Sequence, residues 1–241
     1  MKSLVIGRGE VGKALVEILE PHYETYVKDL EEIELPERFD ILHVCIRYSP
    51  DFLGVVRAYV DRFGPSIVNI CSTVPPGTTE RLGTNAVHST TRGLHPNLVD
   101  GLRAHVKHIG GPKSDKVARY FAKAGIACHT HSRARTTELA HLLNNLSYGV
   151  NLMFADEMAR ICRQFGVDYY EAVMLYTETN NKGFERLDHR SKRRMILTPP
   201  GGHIGGHCIV QNAQILLPIL EESGGNFPLV AAIAGYNGTS D

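Results

Sequence analysis

The stretch Lys2-Ser3-Leu4-Val5-Ile6-Gly7-Arg8-Gly9-Glu10-Val11-Gly12 decides the fold. Ser3 to Ile6 is a short apolar run of the kind that forms a buried strand, and it passes directly into a G-x-G-x-x-G turn. Val11, Ala14, Leu15 and Ile18 then recur at helical spacing. Strand, glycine turn and helix in that order form a dinucleotide-binding fingerprint. Gly7 permits the tight turn, Gly9 lets a pyrophosphate approach the backbone, and Gly12 lets helix and strand pack closely. Glu10 and Val11 open the helix, whose N-terminal N–H groups and dipole favour phosphate. A second strand, Glu24–Lys28, ends at Asp29, the position that would hold a ribose 2′-hydroxyl and so favours NAD over NADP. Lys28 beside it complicates that preference.

Outward from this segment, apolar runs at 2–6, 24–28, 41–46, 67–71, 85–89, 106–109 and 127–131 alternate with helical stretches. The repeated order predicts a mostly parallel, doubly wound sheet of the Rossmann type, spanning 1–133 as a cofactor domain. Ligands of such sheets collect beyond the carboxyl ends of the strands. Those ends carry Gly7–Gly12, Asp29, Arg47-Tyr48-Ser49 and Ser72-Thr73-Val74-Pro75, and Ser72 joins the expected cofactor-binding set.

From Arg135 the pattern becomes one long helix through Leu139, Leu142, Leu146, Val150, Met153, Ile161 and Phe165, which Gly166 is placed to end. Its apolar stripe predicts core or a homodimer interface. A small helical region follows, so 134–241 reads as a helical substrate and dimerisation domain. A short helix is expected near 168–177, a polar and basic stretch from Thr177 to Arg194, and helices near 209–222 and 227–235.

Composition narrows the function. Lys plus Arg and Asp plus Glu both number 26, giving a formal net charge of zero, so no global field recruits nucleic acid. No leader is apparent and no apolar run would span a bilayer, so the chain is expected to stay off membranes. Five scattered cysteines indicate reduced thiols in a cytoplasm. No CxxC pair exists, and His203 and His207 lie among glycines rather than on a helix, so no metal is expected. His129 and His131 alternate along a strand and read as sheet-face residues.

The second informative segment is Pro199-Pro200-Gly201-Gly202-His203-Ile204-Gly205-Gly206-His207-Cys208, a glycine-crowded backbone around one thiol. A cysteine so presented can attack a carbonyl. With Cys71-Ser72-Thr73-Val74-Pro75-Pro76-Gly77-Thr78-Thr79 and Glu138-Leu139 through Asn145, it resembles the UDP-glucose/GDP-mannose dehydrogenase family. The three segments resemble that family's S-T-V-P-P-G-T-T, G-P-G-x-G-G-x-C and E-L-x-K-x-x-x-N motifs, in family order. The resemblance implies NAD-dependent oxidation of a sugar alcohol. By it Cys208 is the nucleophile, Thr73 orders water near the nicotinamide, and Asn145 contacts substrate or oxyanion.

Three departures qualify it. The family's lysine falls on His141, which as an ordinary histidine would titrate near neutrality and could serve as a base. The aspartate four residues after the cysteine falls on Asn212, so thioester hydrolysis is expected to be impaired. Only about 30 residues follow Cys208, too few for the family's second nucleotide-binding domain. The expected substrate is therefore a small molecule, phosphorylated or nucleotide-linked. His88, His95 and Asn97 are further candidates for contacting it, and the basic cluster His189–Arg194 reads as a solvated loop or an anion contact. Two alternatives stand beside the dehydrogenase: a cofactor-binding sensor or assembly protein without catalysis, and a two-electron dehydrogenase of a small hydroxy acid.

Overall fold

The structure is a computed structural model describing residues 1–31, 33–94, 96–201, 204 and 207–236. The chain divides into two compact units, Met1–His141 and Leu142–Asp241.

The first unit is a seven-stranded sheet with β1 (Lys2–Ile6), β2 (Glu24–Lys28), β3 (Ile41–Val44), β4 (Ile67–Ile70), β5 (Ala86–His88), β6 (Lys107–Gly110) and β7 (Cys128–His131). Their spatial order is β2-β1-β3-β4-β5-β6-β7. β1 to β5 pair in parallel, β6 is antiparallel to β5, and β7 runs parallel with β6. Every expected strand is present. The strand order turns back at β1, which opens the crevice in which open α/β sheets hold ligands.

Both faces are covered because β1, β3, β4 and β5 are buried along nearly all their length. On one face α1 (Glu10–Leu19), α3 (Leu98–Ala104) and α4 (Ser114–Lys123) pack Leu15, Leu19, Leu102, Val117 and Phe121 onto Ile41, Val87 and Ile109. On the other, Phe52, Val56 and Phe63 of α2 (Phe52–Phe63) meet Leu4, Leu42, Val68 and Ile70. Each helix buries one stripe, so each needs the sheet to be stable.

The join between β5 and β6 is narrow, a single registered pair of His88 with Gly110. The Lys107 side chain spans the same seam. Its buried Nζ donates to the carbonyls of Ser89 (2.9 Å) and Thr90 (3.2 Å) and lies 5.0 Å from the Phe121 ring centre.

The long helix forms as expected, α5 (Ala134–Gln164), 31 residues, followed by Gly166 at φ +66. After it the outcome differs from the expectation. Tyr170–Leu175 is π-helical and continues into α6 (Tyr176–Arg186), so the polar stretch from Thr177 begins as helix. The only buried residue of α6 is Asn181, whose amide bonds both backbone groups of Arg194 at 2.8 Å. An anchoring amide leaves no apolar period to read. α7 (His207–Glu222) and α8 (Pro228–Ala234) complete the second unit. There α5 and α7 approach closely, since a Cβ on Gly149 would stand 2.5 Å from Ile209 Cγ2.

Candidate active site

The glycine turn is built as its sequence requires. Gly7 has φ +95, and a Cβ on it would meet the Cys45 carbonyl oxygen at 2.7 Å. A Cβ on Gly12 would lie 2.0 Å from the Gly7 carbonyl oxygen, so helix and turn touch backbone to backbone. Gly9 faces open space, caps α1 without a side-chain hydrogen bond, and leaves room for a ligand against the backbone. Glu10 and Val11 form the first turn of α1. Asp29 follows β2 and is exposed. Lys28 is turned inward, its ammonium donating to the Glu31 carbonyl, so it does not crowd the acid. This cradle fits a dinucleotide: an unobstructed turn, a helix N-terminus beside it and an acid at the next strand end.

Two strands along, Ser72 and Thr73 follow β4. Ser72 is buried and donates to the Val44 carbonyl at 3.2 Å. Thr73 Oγ1 and His141 Nε2 share a hydrogen bond of 3.1 Å, although 68 positions separate them. The junction is held by Glu138, one turn before His141. Its carboxylate accepts from the backbone N–H groups of Gly77 (2.5 Å) and Thr79 (2.8 Å), pinning the S-T-V-P-P-G-T-T loop to α5. Burial pushes the Glu138 carboxyl up despite those bonds.

His141 differs from the expectation in its ionisation. Burial first, then the charges of Arg92 and Lys107, push its pKa down to about 4. It is therefore a neutral imidazole at physiological pH, not a group titrating near neutrality. His88 lies close by and is pushed down to about 3, by burial first and then by His141. His88 Nδ1 shares a 2.8 Å hydrogen bond with Thr137 Oγ1, and its buried Nε2 has no partner of standard geometry among the described residues.

Sequence reasoning singled out Thr73, His141 and His88, which the fold brings into one neighbourhood. It missed Lys107 and Thr137, and carried Glu138 only as the first residue of a motif. Lysine in Val106-Lys107-His108 reads as a solvent residue, and only the neighbouring carbonyls explain its burial. Burial lowers the pKa of Lys107. Of the other candidates, Asn97 is exposed at the start of α3, and His95 lies outside the described residues. The 189–194 cluster is solvated, with Arg193 paired to Glu185 at 2.8 Å.

In the second unit, Asn145 is half-buried on α5. Cys208 is exposed in the first turn of α7, so the thiol sits on a helix rather than in a loop. Asn212 is one turn further on, buried, and its Nδ2 has no partner among the described residues. Most of the glycine run before Cys208, with His203, lies outside the described residues. No three ligating groups among the described residues are posed about one ion position.

Comparison with known proteins agrees with this architecture. Residues 135–239 match the UDP-glucose/GDP-mannose dehydrogenase family, central domain. UDP-N-acetyl-D-mannosamine dehydrogenase of Pyrococcus horikoshii is 25% identical over 90% of this chain. The chain spans 57% of that relative's length. A solved structure of UDP-D-ManNAc dehydrogenase from Pyrococcus horikoshii superposes with a TM-score of 0.75 over 98% of this chain and 68% of that one, at 22% identity. 3-Hydroxyisobutyrate dehydrogenase of Mycobacterium tuberculosis superposes with a TM-score of 0.69 at 11% identity, and there the coverage is 99% of this chain and 96% of that one. The fold is of the Rossmann type, and residues 135–239, somewhat under half of the chain, are similar to the central domain of the UDP-glucose/GDP-mannose dehydrogenase family.

Proposed function

We propose that this chain is an NAD-dependent dehydrogenase that interconverts a CH–OH group and the corresponding carbonyl on a small, sugar-like substrate, nucleotide-linked or phosphorylated. The observation that carries the reading is the Thr73–His141 hydrogen bond on the sheet edge that also bears the Gly7–Gly12 cradle. NAD, when bound, accepts the hydride. Gly7, Gly9, Gly12, Glu10, Val11 and Ser72 hold it, and Asp29 takes the ribose hydroxyl. The proton of the alcohol passes by way of the Thr73 hydroxyl to His141 Nε2, the imidazole being neutral at physiological pH because it is partly withdrawn from water near two cations. Thr73 orients that nitrogen.

Cys208 is assigned as the nucleophile toward the carbonyl carbon, with Asn145 as hydrogen-bond donor to its oxygen. Hydrolysis of a thioester needs a group that takes a proton from water. Asn212 stands where an acid would serve, and its amide cannot do so. Release of an acid is therefore expected to be slow, and the two-electron interconversion to dominate. Leu143, Phe154, Ile161 and Phe165 leave an apolar stripe of α5 exposed, which supports assembly as a homodimer. No helix among the described residues is long and apolar enough to cross a membrane, which is consistent with work in the cytoplasm.

A second reading is favoured by the nearly complete mutual coverage with the hydroxyisobutyrate enzyme: a dehydrogenase of a small hydroxy acid. Calorimetric titration with NAD, NADH and NADP tests the shared premise. Binding of NAD or NADH with weak NADP supports it, and no binding to any of the three overturns it. Turnover of nucleotide sugars or of small hydroxy acids then separates the readings. Cys208→Ser is expected to spare NAD binding and to abolish any oxidation of an aldehyde to an acid. Lost NAD binding in a folded Cys208→Ser protein would contradict the assignment.

A further inference from the structure

Two of the five cysteines meet at the carboxyl ends of neighbouring strands. β3 and β4 are registered with Val44 beside Ile70, so the next residues, Cys45 and Cys71, are lateral neighbours. The Cys71 N–H donates to the Val44 carbonyl at 2.9 Å. Both side chains leave the sheet on the side taken two residues earlier by His43 and Asn69, and both pack into the same core cluster. There the two thiols share a hydrogen bond. Cys71 is buried, whereas Cys45 is half-buried, so the pair is not sealed from the crevice.

The surroundings favour negative charge on the Cys71 sulfur. The Asn69 amide is fully committed: its Oδ1 accepts from Ser89 Oγ at 2.7 Å, and its Nδ2 serves His43 Nδ1 at 2.9 Å and Cys71 Sγ at 3.2 Å. The Lys107 ammonium is buried in the same layer, and a buried cation without an opposite charge is costly. The acidic groups that face it are thiols, those of Cys71, Cys45 and Cys128. The bond from Cys45, then His43 and the Lys107 charge, hold the Cys71 thiol well below its usual range against the opposing effect of burial.

We propose that Cys71 is a peroxide-reactive thiol resolved by Cys45, so that the pair closes to a reversible disulfide beneath the dinucleotide cradle. The Cys71 sulfur attacks one peroxide oxygen, the O–O bond breaks, and the departing hydroxide takes a proton and leaves as water. The Cys45 sulfur then attacks the Cys71 sulfenic acid, the S–S bond forms, and the hydroxyl leaves with the Cys45 proton as a second water. Two thiols thus lose two electrons in all, and one peroxide becomes two waters. Closure draws the sulfurs from hydrogen-bonded contact to about 2.0 Å. The backbone above has no slack: a Cβ on Gly7 would stand 2.7 Å from the Cys45 carbonyl oxygen, and Ser72 follows Cys71 directly. Closure therefore disturbs the turn assigned to the pyrophosphate, an effect that rests on the NAD reading, whereas the disulfide itself does not.

The test is brief treatment of purified, pre-reduced protein with hydrogen peroxide, quenched with catalase and N-ethylmaleimide, then peptide mass mapping without reduction. The expected product is a Cys45–Cys71 link that dithiothreitol reverses, with the buried Cys162 still a thiol. In the Cys45→Ser protein no link forms and dimedone traps Cys71 as the sulfenic acid, while the Cys128→Ser protein keeps the link. By calorimetry, NAD affinity is expected to fall about tenfold or more in the linked protein and to return on reduction. Recovery of Cys45 and Cys71 as thiols from protein whose exposed Cys208 is oxidised, or a link from Cys71 to Cys128 instead, would overturn the site. Equal NAD affinity in linked and reduced protein would overturn the coupling. Reduced protein that binds no NAD would sink the dinucleotide reading, and the mapped link would still decide the site.

Discussion

At the scale of single residues, His141 shows how a fold reassigns a side chain. A histidine in water is half protonated near pH 6.5. Here burial and the charges of Arg92 and Lys107 carry it to about 4, so the imidazole is neutral across the physiological range. His141 is expected to stay neutral down to pH 5, measured by nitrogen chemical shifts of selectively labelled protein. A titration midpoint near 6.5 would show that the imidazole is solvated and would remove the basis for its role. The importance of position 141 was legible through resemblance, because the segment from Glu138 to Asn145 carries a family pattern. Its partner Thr73 was named separately, and nothing in the linear chain joins the two. The contact depends on Glu138 gripping two backbone N–H groups of the loop, a tertiary event without periodicity.

At the scale of elements, what was readable followed from burial. β1, β3, β4 and β5 are short apolar runs between turn residues and were visible for that reason, whereas β2, β6 and β7 carry more polar residues and were placed by the repeated strand–helix order. α5 was visible because its stripe persists for 31 residues. α6 was not, because one buried amide does the anchoring that an apolar face does elsewhere. The packing of α5 against α7 also escaped, since it depends on the lack of a side chain at Gly149. Gly149→Ala places a methyl 2.5 Å from Ile209 Cγ2, in helices with little room to yield. Overpacking of this kind costs about 1–3 kcal/mol, offset in part by alanine's better helix propensity. The expected outcome is a lower urea midpoint with an unchanged slope. An equal or higher midpoint would show that Ile209 rotates away freely.

At the scale of the whole molecule, two neutral histidines, His88 buried and His141 half-buried, make stability depend on pH. His88 and His141 have folded pKa values of about 3 and about 4, below the value of about 6.5 expected when unfolded. Between those limits the unfolded chain binds protons that the folded chain refuses. Stability is therefore full above pH 6.5 and is lost as pH falls, by up to about 1.4 kcal/mol per unit for each group. Urea midpoints measured from pH 7 to pH 4.5 are expected to fall steadily, and His88→Asn is expected to flatten that fall. An unchanged midpoint across this range would mean that both rings find water or counter-charges in solution.

The single registered pair between β5 and β6 gives the sheet a crease. Five parallel strands lie on one side and a two-stranded flap on the other, and the Lys107 ammonium is the clasp across the fold line. A ladder resists bending through many small bonds that share the load. A clasp concentrates it in one side chain, whose truncation releases both carbonyls together. The flap carries His108, His129 and His131, while His88 stays on the fixed side. One buried cation thus ties the two halves of this sheet at the point where the ladder between them is thinnest.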